Sequence, residues 1–134
     1  YDLVSLLIGV NNQYRGLDVS IFEKEFKVLF DKAKTFARGD ISKVIIISIP
    51  DYRVTPFITD PQKAKVAAAI LRYNELSKNI ALQYDITYID ITPISQTAKN
   101  DLSLISNDKL HLSEKMYSLW VHKLLKEAII KLGE

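Results

Sequence analysis

The chain has 134 residues, a net charge of +2, 48% hydrophobic and 25% charged residues, and no cysteine. Such a balance describes one globular domain with a sizeable core. The interspersed charges leave no basic footprint for nucleic acid, the missing thiols exclude disulfides and thiolate catalysis, and no apolar run reaches the roughly 20 residues of a membrane span.

The sequence opens directly on YDLVSLLIGV, without Met or any lead-in, which raises the expectation that an N-terminal portion precedes it. DLVSLLIG, residues 2–9, is a continuous apolar run of strand length, suited to burial on both faces. NNQYRG reads as a loop. A helix is expected from Ser20, which has capping-box spacing to Glu23. Phe22, Phe26, Leu29, Phe30, Ala33 and Phe36 give it one apolar face, and Gly39 and Asp40 stop it. KVIIISI, residues 43–49, is the second strand, rich in β-branched residues and ended by Pro50. Asp60 then caps a second long helix, with Pro61 in its first position and Tyr84 at its end. ITYIDIT, residues 86–92, is the third strand, ended by Pro93. A long polar loop follows, of a kind that is often functional in compact domains. The last helix starts at Ser113, with Leu112 and Tyr117 spaced as a hydrophobic staple. Met116, Trp120, Leu124, Ala128 and Leu132 continue its buried side to Gly133.

Strands alternating with helices predict an α/β fold, a parallel sheet with helices on both faces and right-handed crossovers. Ligands bind beyond the carboxyl ends of such strands. That rule selects GVNNQYRG, IPDYRVTP and the loop carrying Asp108 and His111, so residues about a hundred positions apart share one cleft.

The segment SNDKLHLSEKMYSLW places Asp108 three residues before His111. A histidine can take a hydroxyl proton near neutral pH and return it to a leaving group. It does so best when a carboxylate holds its other ring nitrogen. The plainer reading is a solvated loop histidine beside a helix cap. In GVNN, Gly9 permits a tight turn after the first strand, and Asn11 is a neutral amide able to donate to a developing oxyanion. The plainer reading makes Asn11 and Asn12 loop formers that tolerate left-handed backbone.

Together and in this order, GVNN and DKLH resemble the SGNH hydrolases, the GDSL-type lipases and esterases. The resemblance implies a three-layer flavodoxin-like sheet in which a G-x-N-D block follows the third strand and a D-x-x-H block lies near the C-terminus. It therefore implies Asn11 as oxyanion donor, Asp108 and His111 as acid and base, and Asn12 where the family more often has Asp. The family's nucleophile sits in a Gly-Asp-Ser block after its first strand, and no Gly-Asp-Ser occurs here; Gly39-Asp40 is followed by Ile41. The 134 residues then correspond to the C-terminal part of one SGNH domain lacking its first two strands, with the serine outside this chain. Inactivity of the fragment alone follows. In the family's sheet order the strand at Leu3 to Ile8 becomes an edge, expected to be covered by the N-terminal segment of the same domain or by a second chain.

The function implied is hydrolysis of an acyl ester, a thioester or a carbohydrate ester; the implied partner is a small-molecule, carbohydrate or lipid ester. The opposing reading is a non-catalytic flavodoxin-like binding module. Tyr14 and Arg15 border the Asn11 loop and either shape the substrate pocket or are solvated. Asp51, Tyr52 and Arg53 either touch substrate or form a turn, and the turn is preferred. His122 reads as an ordinary helical residue. Ser5 and Ser48 lie in strands, Ser20 and Ser113 read as caps, and no nucleophile elbow surrounds Ser95, Ser103 or Ser106. No metal-ligand spacing, G-x-G-x-x-G or P-loop is present, and no cofactor is expected.

Overall fold

The computed structural model describes residues 1–133. Three parallel strands, β1 (Val4–Leu6), β2 (Val44–Ile47) and β3 (Thr87–Ile89), form a sheet in the order β1-β2-β3. Val4 lies opposite Val44, and Ile45 opposite Thr87. The helices are α1 (Val10–Tyr14), α2 (Val19–Phe36), α3 (Asp60–Gln83), α4 (Thr92–Gln96) and α5 (Glu114–Leu132).

The strand period of two divides the core. Val44 and Ile46 pack with Phe22, Phe26 and Phe30 of α2 and with Ile70, Tyr73 and Ile80 of α3. Ile45 and Ile47 belong to a second cluster with Ile91, Met116 and Trp120. Helices α2 and α3 therefore cover one face and α5 the other, which is the three-layer flavodoxin-like architecture expected. The three buried phenylalanines recur every four residues on α2, so one side of that helix is closed against the sheet. Truncating any of them to alanine costs about 3–5 kcal/mol.

Several local expectations are corrected. The strands are shorter than their apolar runs. β1 is not buried on both faces: Ser5 is exposed, Val4 and Leu6 are half-buried, and among the described residues β1 pairs with β2 alone. The α2 cap is Asp18, whose Oδ1 accepts from Ser20 N at 2.8 Å, so Ser20 lies inside the first turn. Aspartate is at least as good a cap as serine, and it stands one residue before the helix. Phe36, at the far end, is largely exposed and meets the Tyr1 ring edge-on at 6.0 Å. Thr59, not Asp60, occupies the cap position of α3, and Pro61 stays within the first turn, where its missing N–H has no intrahelical partner to lose. Pro93 opens α4 rather than closing β3.

The long loop is not structureless. It holds α4, 3-10 turns at Thr97–Lys99 and Leu102–Leu104, and an antiparallel bridge between Ile105 and Leu112. On α5, Met116 and Trp120 are buried, Leu124 and Ala128 half-buried, and Leu132 exposed. Tyr117 is also exposed, its ring set against Trp120 rather than stapled down. Val121 and Leu125, one turn apart on α5, are exposed, as is Ile130 near its end. Gly133, in the left-handed region at φ 80°, ends it. No helix among the described residues is long and apolar enough to cross a membrane.

Candidate active site

The site is built at the carboxyl ends of the three strands. After β1 the chain reverses at Gly9, whose φ of 117° is unfavourable for an L side chain. It then runs into α1, so most of the expected loop is a single helical turn carrying Asn11. Asn11 is exposed. Asn12 turns away and donates its amide to Glu25 Oε2 at 2.6 Å. Gln13 is buried and accepts from the Tyr52 hydroxyl at 2.6 Å.

After β2, Asp51 is buried. Its carboxylate accepts from Arg53 Nε at 2.8 Å and Gln96 Nε2 at 2.9 Å, and its own N–H donates to Ser95 Oγ at 2.8 Å. Asp51 thus ties the loop to α4. Burial pushes the neighbouring Tyr52 phenol upward, against the downward pull of its bond to Gln13.

After β3, Asp108 organises the turn that ends at His111. Its Oδ1 accepts from Leu110 N at 3.0 Å and His111 N at 2.9 Å, an arrangement typical of a short carboxylate side chain in a turn. Its Oδ2 lies 2.5 Å from His111 Nδ1. The His111 contact and the two backbone N–H groups hold the Asp108 carboxyl down at about 2. With Nδ1 occupied, Nε2 is the ring nitrogen left for chemistry. The turn is closed by Ser106 N donating to the His111 carbonyl at 2.8 Å, and Lys109 takes φ 61° within it.

Asn11 and His111 line one pocket of about 360 Å³. Tyr14 and Tyr52 form part of its wall, and Tyr117 and Trp120 of α5 complete it near His111. Gly9, Asn12 and Asp51 do not line it: Gly9 packs under Phe22, and the Asn12 and Asp51 side chains are spent on Glu25 and on Arg53 and Gln96. Of the residues named above as possible substrate contacts, Tyr14 lies on the wall and Asp51 does not. Trp120 and Tyr117 were legible only as core and staple; the signal for a pocket was their position in the first two turns of the helix that follows His111. Tyr52 was named with its turn, but nothing in the sequence linked it to Gln13.

Among the described residues, no serine lines this pocket. Ser48 and Ser95 are buried and hydrogen-bonded, Ser48 accepting from Ile91 N at 2.8 Å and Ser95 donating to Thr92 O at 2.6 Å. Ser113 caps α5, and Ser103 is bonded to Asp101.

The sequence model of the GDSL-like Lipase/Acylhydrolase family matches residues 1–119. Among solved structures, a point mutant of Axe2, an acetyl-xylooligosaccharide esterase from Geobacillus Stearmophilus, is similar with a TM-score of 0.63 and 18% identity. The similarity covers 95% of this chain and 59% of that one, so this chain spans less than two thirds of that protein's length. At this identity the likeness shows the fold. No curated protein sequence matches.

Proposed function

Because the chain belongs to the GDSL-like Lipase/Acylhydrolase family, we propose that it is the C-terminal part of a single SGNH hydrolase domain that cleaves esters through a Ser-His-Asp triad. The observation that carries this reading is the Asp108–His111 pair at 2.5 Å opening onto the pocket that Asn11 also lines.

In the reaction, a serine from a segment outside these 134 residues attacks the ester carbonyl. His111 Nε2 takes the hydroxyl proton as the C–O bond forms. Asp108 holds the imidazole by Nδ1–H and stabilises the imidazolium. The carbonyl electrons move to oxygen, where the Asn11 amide donates. Collapse of this intermediate breaks the bond to the leaving alcohol, which receives the proton from His111. Water then enters, gives a proton to His111, and attacks the acyl-serine. The second intermediate collapses to free acid, and the serine regains its proton.

The strand that brings the serine would sit beside β1. Among the described residues β1 pairs along one side only, and α5 exposes Val121 and Leu125 one turn apart. A preceding strand and helix would pair with the first and cover the second. The pocket is lined largely by aliphatic and aromatic side chains, which suits an uncharged acyl or alcohol group, including a carbohydrate ester.

The test is covalent labelling with a fluorophosphonate. The full-length protein should label once per chain, on a serine outside residues 1–134, and the 134-residue chain alone should stay unlabelled. Stoichiometric labelling within the 134 residues, or none in the full-length protein, would overturn the proposal; the latter result supports a non-catalytic module.

A further inference from the structure

The loop between β2 and α3 carries none of the residues assigned a chemical role, yet it is bonded to both elements that do. Tyr52 reaches α1 through Gln13, and Phe57 N donates to the Lys109 carbonyl at 3.2 Å, inside the turn that presents His111. Asp51 anchors the same loop to α4. We infer that this loop sets the relative placement of Asn11 and His111, and that the Tyr52–Gln13 hydrogen bond is the positioning contact for Asn11. The inference rests on the triad and oxyanion roles proposed above.

The physical need comes from α1 itself. It is one turn of five residues with no side-chain cap bond, led by a glycine in the left-handed region. Such a turn has no stability of its own. Its orientation must come from outside contacts: Val10 packs on the core, the Tyr14 ring lies beside Tyr52 and Phe57, and Gly9, Asn12 and Gln13 each meet a residue of another element. Gly9 packs under the Phe22 ring, which fixes the start of the turn but not its rotation. The Asn12–Glu25 contact is exposed to solvent, where a polar bond holds geometry weakly. The Gln13–Tyr52 bond is different, because Gln13 and Tyr52 are 7% and 6% exposed. Breaking it strands a buried polar group away from water.

Helical geometry converts this anchor into a direction for Asn11. Two residues along an α-helix are about 200° apart around its axis. With Gln13 held inward on Tyr52, Asn11 is turned outward to the pocket it shares with His111. Tyr52 itself cannot drift, because its carbonyl accepts from Thr55 Oγ1 at 2.8 Å and its neighbour Asp51 is fixed on three partners.

The experiment uses the full-length protein and p-nitrophenyl acetate, with kcat and KM measured separately. Tyr52→Phe keeps the ring and deletes the hydroxyl; Gln13→Met deletes the acceptor. Each should lower kcat about tenfold with KM changed less than twofold, since misplacement of a catalytic group by a fraction of an ångström costs rate rather than binding. Gln13→Glu, which keeps an acceptor, should recover most of the loss. The deciding arm is Tyr52→Phe combined with Asn11→Ala. Its kcat should equal that of Asn11→Ala alone, because a donor already removed cannot be misplaced. Additive losses would overturn the inference and show that Tyr52 acts elsewhere. A full Asn11→Ala effect beside a silent Tyr52→Phe would overturn it while leaving the oxyanion role standing. A silent Asn11→Ala would overturn the oxyanion role and the inference with it. Melting curves of every variant keep lost activity separate from lost fold.

Discussion

A Cβ placed on Gly9 would stand 2.7 Å from Cε2 and 2.9 Å from Cζ of Phe22. The ring that closes the α2 side of the core is therefore seated directly on the turn that launches α1. Two requirements coincide there, a left-handed backbone and the absence of a side chain.

Gly9→Ala should destabilise the protein by about 3 kcal/mol, from the positive φ together with a displaced, well-packed ring. Urea unfolding monitored by circular dichroism checks this. A midpoint equal to that of the unsubstituted protein would show that Phe22 yields without cost.

His111→Ala in the full-length protein should nearly abolish ester hydrolysis. Asn11→Ala should lower kcat by roughly a hundredfold, the usual loss for one oxyanion donor. Steady-state assays with a small acetyl ester decide both. Hydrolysis by His111→Ala at the unsubstituted rate would falsify the triad.

Asp108 and Asp101 each titrate at about 2, below the ordinary 3.8. The His111 contact is the main cause for Asp108, and Ser103 followed by Lys115 for Asp101. A depressed carboxyl stabilises the folded state above the ordinary value, and its contribution is lost as pH falls through about 2. The turn from Asp101 to His111 should stay folded at pH 4 and open as pH falls through about 2. NMR titration of the two side-chain carboxyl carbons is the measurement, and a midpoint near 4 for Asp108 would contradict the pairing with His111.

At the alkaline end, burial pushes the Tyr88 phenol up to about 12. Its hydroxyl donates to the Asn74 carbonyl at 3.3 Å. Stability from the neutral phenol is complete below its unfolded value near 10 and is lost as pH rises through 12. Of the seven tyrosines, one should ionise last in an absorbance titration at 295 nm, and Tyr88→Phe should remove that step. Persistence of the late step in Tyr88→Phe would assign it to another ring.

The layer architecture was legible because it rests on periodicity. The run VIII on β2 and the four-residue spacing of Phe22, Phe26 and Phe30 each state which surface they bury. The cap of α2 was misplaced because Asp18 and Ser20 are both good caps, and only the backbone decides between them. At the site, Asp108 and His111 are close in the chain, so a turn alone brings them together. Tyr14 was assigned to the pocket from proximity to Asn11. For Asp51 both a substrate contact and a turn were open, because a carboxylate after a strand reads alike whether it meets a ligand or Gln96. The Gln13–Tyr52 bond spans 39 positions and joins two ordinary residue types; no local pattern encodes it. Trp120 looked like core and is core, but it also forms a wall.

The division of β2 between two clusters has a consequence for hydrogen exchange. β2 is the one strand with a hydrogen-bonded neighbour on each side among the described residues, and all four of its side chains are buried. Its amides can meet solvent only when both layers part, so their exchange should report global opening. Among the described residues β1 is bonded along one side, and its amides should exchange through smaller, local openings. The gap between those two rates measures how far the sheet can fray without unfolding. Anything that pairs with the free side of β1 should close that gap, which makes slow exchange at Val4 and Leu6 a direct readout of an occupied edge.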